Sequence, residues 1–558
     1  MLGMNSASAE GHKRALVIGL DGATFDLIRP LVEKGKLPNL ARMQAHGMST
    51  ELRSTILPLS PPAWTTFLTG KNPGAHGIYD FAKRVEGEYS FAPTTSLDMK
   101  SRGIWNAIEA QGGSSILVNV PLTYPPASFK GFMLTGFPTP TEKRDYTYPP
   151  GLLHELEKEF GSVNIHKPKV LYKKGREREI TDETIAITKQ QTAVTKYLMG
   201  RIDWSVTVTV YDATDVLGHY FWSYLDPAHP KYDAKMAPEV SQMVEDLHVS
   251  LDGAIGELAS AVGPDTLKLV MSDHGFGPVY YGVYINNWLV SERYMKFKRN
   301  LRVRAKHFAF RNGLNVYNML RVARRLGLVK SIESAYSTKS YALRLLNVIS
   351  LGFQDVDWDS TRVYSSGNMG QLYLNLVGRE PKGIVKPEEA GPLVTELIDK
   401  IKVLKDPATG KIMFDMVYAG KDIYSGPSSR AAPDVIFLDQ QMVYAAHRMF
   451  ELGSSRLVTL HPIYSGNHKM DGILIAEGPS VEPGSKPRTE PNLVDLAPTI
   501  LGYLGLRIPG EMEGEVIAEL SGEEPVWERI QESQKVDSAI RDILSKKTRA
   551  SLGATIGR

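Results

Sequence analysis

Ala15-Leu16-Val17-Ile18-Gly19-Leu20, running into Asp21-Gly22, is the stretch from which the fold is read. An unbroken small and apolar run describes a strand buried on both faces, here delivering a carboxylate to its C-terminal edge. Working outward, Ser60 follows Ile56-Leu57-Pro58-Leu59 and precedes Pro61-Pro62, just ahead of a segment, Trp64 to Thr69, that can begin a helix. A hydroxyl at a helix N-terminus beside a strand-end carboxylate is a place for a phosphate or a metal-activated nucleophile.

Downstream, strand and helix signals alternate. Phe25, Ile28, Leu31 and Val32 recur at helical spacing, and Gly35 stops that helix. Ser115–Val120 reads as a second buried strand and Leu152–Phe160 as a helix; a basic connector, Lys167–Arg178, then leads into a helix over Asp182–Met199. Ser205–Val210 is a β-branched strand ending at Tyr211-Asp212. Pro238–Ala261 is helical, with Val240, Val244, Leu247, Leu251, Ile255 and Leu258 on one face, and Leu267–Met271 is the next strand. The alternation predicts a mostly parallel sheet covered by helices on both faces.

The pattern breaks after Asn286. Arg293–Lys330 is basic and predicted helical, carrying Lys296, Lys298, Arg299, Arg302, Arg304, Lys306, Arg311, Arg321, Arg324 and Arg325, with Met319, Leu320, Ala323 and Leu326 on one face of its later part. Three readings stay open: a solvated insertion, a lid over an anionic substrate, or a patch for anionic membrane or nucleic acid. The α/β pattern resumes near Val356 with strands at Leu372–Leu376, Asp434–Leu438 and Gly472–Ala476, and helices at Pro387–Val403 and Val494–Leu504. The division expected is a discontinuous catalytic domain over 14–290 and 356–520, a helical insertion over 291–355 and a charged helical tail over 521–558.

Composition narrows the class. The chain has 558 residues, 42% of them hydrophobic, which is ample for a large core or for roughly three or four average domains. A net charge of +3 argues against a chain-wide electrostatic grip on nucleic acid, so no stable nucleic-acid complex is expected. The absence of cysteine excludes disulfides, thiolate metal sites and a cysteine nucleophile, and fits a reducing compartment. Met1–Lys13 lacks an apolar signal core and no run approaches the ~18–20 apolar residues of a membrane span, so a cytoplasmic location is expected. Nothing in the composition sets the oligomeric state.

Chemistry-bearing residues gather at strand ends and their loops: Asp21; Ser60; Asp215-Val216-Leu217-Gly218-His219; Asp273-His274; and Ser465-Gly466-Asn467-His468. Taken singly, each Asp reads as a cap or turn residue, each His as a loop residue, and Ser60 as turn chemistry. Taken together, carboxylate oxygens and imidazole nitrogens are a donor set for Zn²⁺ or a similar divalent ion. Gly218 suggests a loop that lets Asp215 and His219 turn toward one ion. Asp273 and His274 would diverge in a strand but can converge at the turn set by Gly275.

These pieces resemble the alkaline phosphatase superfamily, and within it the type I phosphodiesterase/nucleotide pyrophosphatase family. The resemblance rests on Val17–Gly22, Ser60–Gly70, Pro73-Gly74-Ala75-His76-Gly77-Ile78, Asp215–His219, Ser272–Phe276 and Gly466–Leu474, with Asp495–Leu501 similar to the superfamily's terminal helix. It implies an alkaline-phosphatase-like α/β fold, a mostly parallel sheet sandwiched between helices with the basic helical insertion. It also implies two divalent ions, Zn²⁺ with Mn²⁺ as the alternative: Asp21, Ser60, Asp273 and His274 would hold one, and Asp215, His219 and His468 the other. Ser60 would be the nucleophile, forming a phosphoseryl intermediate that water hydrolyses, and the two ions, ~4 Å apart in such sites, would stabilise entering and leaving oxygens. The implied substrate is a small phosphate ester, nucleotide-like compounds included.

Two departures point elsewhere on the same scaffold. The family usually has threonine where Ser60 stands, and an asparagine after its His-Gly-Ile where this chain has Tyr79-Asp80-Phe81. A phosphomonoesterase or phosphomutase is therefore the alternative activity. A sulfatase is disfavoured because Trp64 replaces the arginine of its motif, and a non-catalytic metal-binding scaffold is disfavoured by the intact ligand set.

Overall fold

The computed structural model describes residues 13–166, 168, 172, 174–315, 318, 322, 351–447, 454–522 and 524–528. Its largest sheet has eight strands: β1 (Arg14–Leu20), β2 (Met48–Arg53), β3 (Ser115–Val120), β4 (Gly131–Thr135), β5 (Thr147–Tyr148), β6 (Val206–Tyr211), β7 (Thr266–Met271) and β8 (Asp471–Glu477). They lie in the order β2-β8-β7-β1-β6-β3-β4-β5. The five strands from β7 to β4 run parallel, and β8 and β5 run antiparallel to their neighbours. β1 sits between two parallel partners, which is why its sequence shows no polar alternation.

Alternate residues of β1 feed two separate cores. Leu16, Ile18 and Leu20 pack with α1 (Phe25–Glu33), α2 (Pro38–His46), α4 (Glu177–Met199), α5 (Ala213–Leu225) and α6 (Ala237–Ser260). Ala15 and Val17 pack with α3 (Ser60–Thr69) and α8 (Leu493–Tyr503) on the opposite face. The result is the helix–sheet–helix sandwich expected from the alternation.

Residues 363–438 do not extend this sheet. Val363–Ser365, Gln371–Leu374, Val435–Leu438 and Met416–Ala419 form a separate four-stranded antiparallel sheet with its own core, against which the helix Pro387–Lys402 packs. A further cluster joins this sheet to the large one: Leu57 and Leu59, just before Ser60, pack with Tyr79, Met369, Ile436 and Met470. Within the basic insertion, α7 (Leu301–Arg311) is helical as predicted, but 293–300 is not: the chain there runs as turn and coil, with Phe297 bridged to Val356. The apolar face expected from Met319, Leu320, Ala323 and Leu326, and the helical tail expected over 521–558 save for 521, 522 and 524–528, lie outside the described residues.

Candidate active site

β1, β6 and β7 end side by side, and their carboxyl ends set the floor of the site. Asp21 leaves β1; its backbone carbonyl accepts a hydrogen bond from Thr214 Oγ1 at 2.5 Å, which ties it to the first turn of α5. Gly22 turns the chain with a positive φ of 70°, and its N–H donates to Asp273 Oδ1 at 3.3 Å. Gly19 also has a packing reason: a Cβ there would lie 2.5 Å from Trp64. That close approach lets the Trp64 indole N–H donate to Asp21 Oδ2 at 3.0 Å, orienting the carboxylate. Trp64 was not foreseen as a site residue; the glycine inside an otherwise bulky strand was the signal.

Ser60 is the first residue of α3, so the helix starts four residues earlier than the Trp64 reading suggested. Pro61 and Pro62 occupy its first turn, where their missing N–H groups cost no helical hydrogen bond. The same prolines leave that helix end with two fewer amide donors for an anion. Ser60 Oγ instead lies 3.5 Å from Asp21 Oδ1 and 3.3 Å from His274 Nε2. It is 7% exposed, so the hydroxyl is buried in the cluster.

Asp215 and His219 both lie on α5, not on a loop. Four residues apart on a helix, they share one face, and His219 Nε2 is 3.3 Å from Asp215 Oδ1. Gly218 serves packing: a Cβ there would be 3.0 Å from the Phe276 ring. His468 comes from a short strand, Gly466–Lys469, paired antiparallel with Gly275–Pro278, and its Nε2 is 3.2 Å from Asp215 Oδ1 and 3.2 Å from His219 Nε2. Asp273 and His274 converge in the turn between β7 and Gly275, with His274 Nε2 3.4 Å from Asp273 Oδ2 and 3.5 Å from Asp21 Oδ1. The His274 and His468 rings stack 3.7 Å apart. All seven sequence-derived residues thus meet in one cleft. Two groups have ligand atoms within 4.8 Å of one another, Asp21 with Asp273 and His274, and Asp215 with His274 and His468.

The imidazoles are held alike. His219, His274 and His468 place Nδ1 at 3.3, 3.0 and 2.8 Å from the backbone carbonyls of Gly466, Gly275 and Pro58. A carbonyl only accepts, so each Nδ1 carries the proton and, in a neutral ring, each Nε2 presents a lone pair to the cleft. Protonating Nε2 as well is disfavoured: burial lowers the pKa of His274 and of His468 below the ordinary range. Burial, then the neighbouring Asp215 charge, raises the Asp273 carboxyl well above the carboxylate range. Asp273 Oδ2 is buried and accepts no hydrogen bond among the described residues. Lone pairs therefore face lone pairs at 3.2–3.5 Å, the donor set and spacing that a buried divalent cation satisfies.

His76 of the Pro73–Ile78 motif is not among these groups. Fully buried, it faces Thr66 Oγ1 of α3 at 3.0 Å through Nε2, while Nδ1 accepts the Ile78 N–H at 3.2 Å, so it braces the helix that carries Ser60. Asp80 is likewise committed: it accepts from Phe81 N at 2.6 Å, Asn368 N at 2.7 Å, Gln371 Nε2 at 2.9 Å and also Asn368 Nδ2, anchoring the 366–371 turn of the second sheet.

A helix-flanked, mostly parallel sheet with an Asp/His/Ser cleft at its strand ends defines an α/β protein of the alkaline-phosphatase-like fold. Residues 15–448 match the model of the type I phosphodiesterase / nucleotide pyrophosphatase family. The chain belongs to this family and is a phosphoester hydrolase. No curated protein matches its sequence significantly. Among solved structures it is similar to phosphonoacetate hydrolase from Sinorhizobium meliloti 1021 in complex with phosphonoacetate, at 13% identity and a TM-score of 0.50, covering 87% of this chain and 94% of that one. It is also similar to murine ectonucleotide pyrophosphatase / phosphodiesterase 5, an inactive form in complex with AMP, at 13% identity and a TM-score of 0.46, covering 88% and 95%.

Proposed function

We propose that the chain is a two-metal phosphodiesterase of the nucleotide pyrophosphatase type, acting through a phosphoseryl intermediate on Ser60. The observation that carries this reading is the opposition of three Nε2 lone pairs to buried carboxylate oxygens, which bound divalent cations would reconcile. Asp21, Ser60, Asp273 and His274 would hold one ion, and Asp215, His219 and His468 the other; the mixed nitrogen and oxygen donors favour Zn²⁺, with Mn²⁺ next. Such ions, when bound, lower the pKa of a neighbouring hydroxyl and offset phosphoryl charge.

The remaining work falls to the chain. Trp64 and Thr214 hold Asp21, and the carbonyls of Pro58, Gly275 and Gly466 hold the three imidazoles, so the cleft needs little reorganisation. Ser60 Oγ forms the new bond to phosphorus as the ester oxygen leaves with its alcohol; water then cleaves the Ser60–phosphorus bond and releases the phosphate monoester.

One observation favours a phosphomonoesterase or phosphomutase instead: Ser60 is followed by two prolines, and Asp80 and Phe81 stand where the family has its asparagine, so oxygen-holding donors differ from the family pattern. Turnover of a nitrophenyl nucleotide diester and of nitrophenyl phosphate, each with Zn²⁺ and with Mn²⁺, separates the two. Diester turnover at least about tenfold faster is expected; the reverse ratio overturns the diester assignment.

A further inference from the structure

Residues 293–330 hold twelve lysines and arginines and no aspartate or glutamate, in a chain whose total charge is only +3. The structure shows what the described part of this stretch does with its charge. The inner face of α7 is fixed: Val303 and Phe310 enter the core of the second sheet, and Lys306 pairs with Asp355 at 3.0 Å in a buried contact. The outer face carries Leu301, Ala305 and Phe308, spaced by four and three residues, and Leu301 and Phe308 are 82% and 71% exposed. By helical geometry Arg304 and Arg311 flank this stripe on one side and Arg302 on the other. Arg299, Arg302, Arg304 and Arg311 are exposed and form no ion pair among the described residues. Beyond the helix, Leu314 is 61% exposed, and Arg311 and Arg456 line an open recess of about 630 Å³ together with Ser454, Ser455 and Thr459.

We propose that this face docks on an anionic lipid surface, with the Leu301–Phe308 stripe lying at the headgroup boundary and the flanking arginines, with Arg456, contacting lipid phosphates. An anchored helix with an outward apolar stripe between cationic borders is the geometry of an interfacial helix, and acid-free basic clusters are attracted to anionic leaflets. Nucleic acid would use the same arginines but has no use for exposed Leu301 and Phe308, and among the described residues of this face Phe308 is the one exposed aromatic ring, too few for base stacking.

The test is co-sedimentation of the full chain with phosphatidylcholine vesicles, alone or with about one third phosphatidylglycerol. Wild type partitions onto the anionic vesicles and not onto the neutral ones. Leu301→Asn with Phe308→Asn, and separately Arg302→Glu with Arg304→Glu and Arg311→Glu, each lower that partitioning at least about tenfold. Both keep the wild-type melting temperature and the wild-type turnover of a soluble diester, since none of these residues enters the catalytic cleft. Failure of wild type to bind anionic vesicles overturns the proposal. So does binding that the Leu301/Phe308 pair does not affect, and so does tighter binding of a labelled oligonucleotide than of vesicles.

Discussion

Two buried polar clusters in this molecule use the same kinds of residue to opposite ends. Beside the second sheet, Arg379 donates to both oxygens of Asp434 at 3.0 and 2.6 Å and to Glu380 at 3.0 Å, while Arg84 pairs with Glu380 and lies over the Tyr373 ring. There every carboxylate meets a permanent cation from the chain itself. At the strand ends of the large sheet, Asp21, Asp215 and Asp273 meet imidazoles that turn lone pairs toward them. The contrast teaches how to tell a structural ion network from a functional one: the first is satisfied by the chain, and the second is complete only with what the chain binds.

The largest effect expected falls on the nucleophile. Ser60→Ala should lower diester turnover at least about a thousandfold while leaving the thermal melt unchanged, as stopped-flow and calorimetry would show. Turnover within tenfold of wild type would remove Ser60 from the mechanism. Next, Arg379→Met should break the self-satisfied cluster and cost about 3–5 kcal/mol of stability in urea titration, with turnover per folded molecule unchanged, because uncompensated carboxylates remain behind. Asp273→Asn should do the converse. Turnover falls at least about a hundredfold, yet the chelator-treated variant melts no lower than chelator-treated wild type, since a crowded carboxylate has gone. Wild type should also melt lower after chelation, whereas this variant should shift less. A metal-free variant much less stable than metal-free wild type would mean that the two clusters are alike after all.

The smallest expected effect is a pH slope. Burial pushes the His76 imidazole down to about 3, against an ordinary value of about 6.5 in the unfolded chain. Between these values the unfolded chain binds the extra proton, so the stabilisation is fully present above about pH 6.5 and is lost as pH falls toward 3. His76 contributes up to about 1.4 kcal/mol per pH unit in that window, and His76→Asn should flatten the urea midpoint against pH by that share.

Much of the site was legible in the chain. Asp21, Ser60, Asp273 and His274 stand where apolar runs end or turn chemistry begins, and a strand buried on both faces has few other ways to read than Ala15–Leu20. The helix under Asp215 and His219 was missed because Gly218 read as a loop marker; tertiary packing against Phe276 outweighed that local preference. The edge strand Met48–Arg53 was missed for a related reason: it alternates weakly, and its pairing with Asp471–Glu477 spans some four hundred residues.

What the amino-acid order determined by itself is the inventory: which strands are buried, which carboxylates and imidazoles sit at their ends, and where the positive charge collects. Those follow from periodicity and residue chemistry, which act over a few neighbours. Only the tertiary structure decided which lone pairs face one another, that the helix opens at Ser60, and that 363–438 builds a second sheet instead of widening the first. These outcomes depend on contacts between segments hundreds of residues apart, whose geometry is set by how the whole core packs and not by any local propensity.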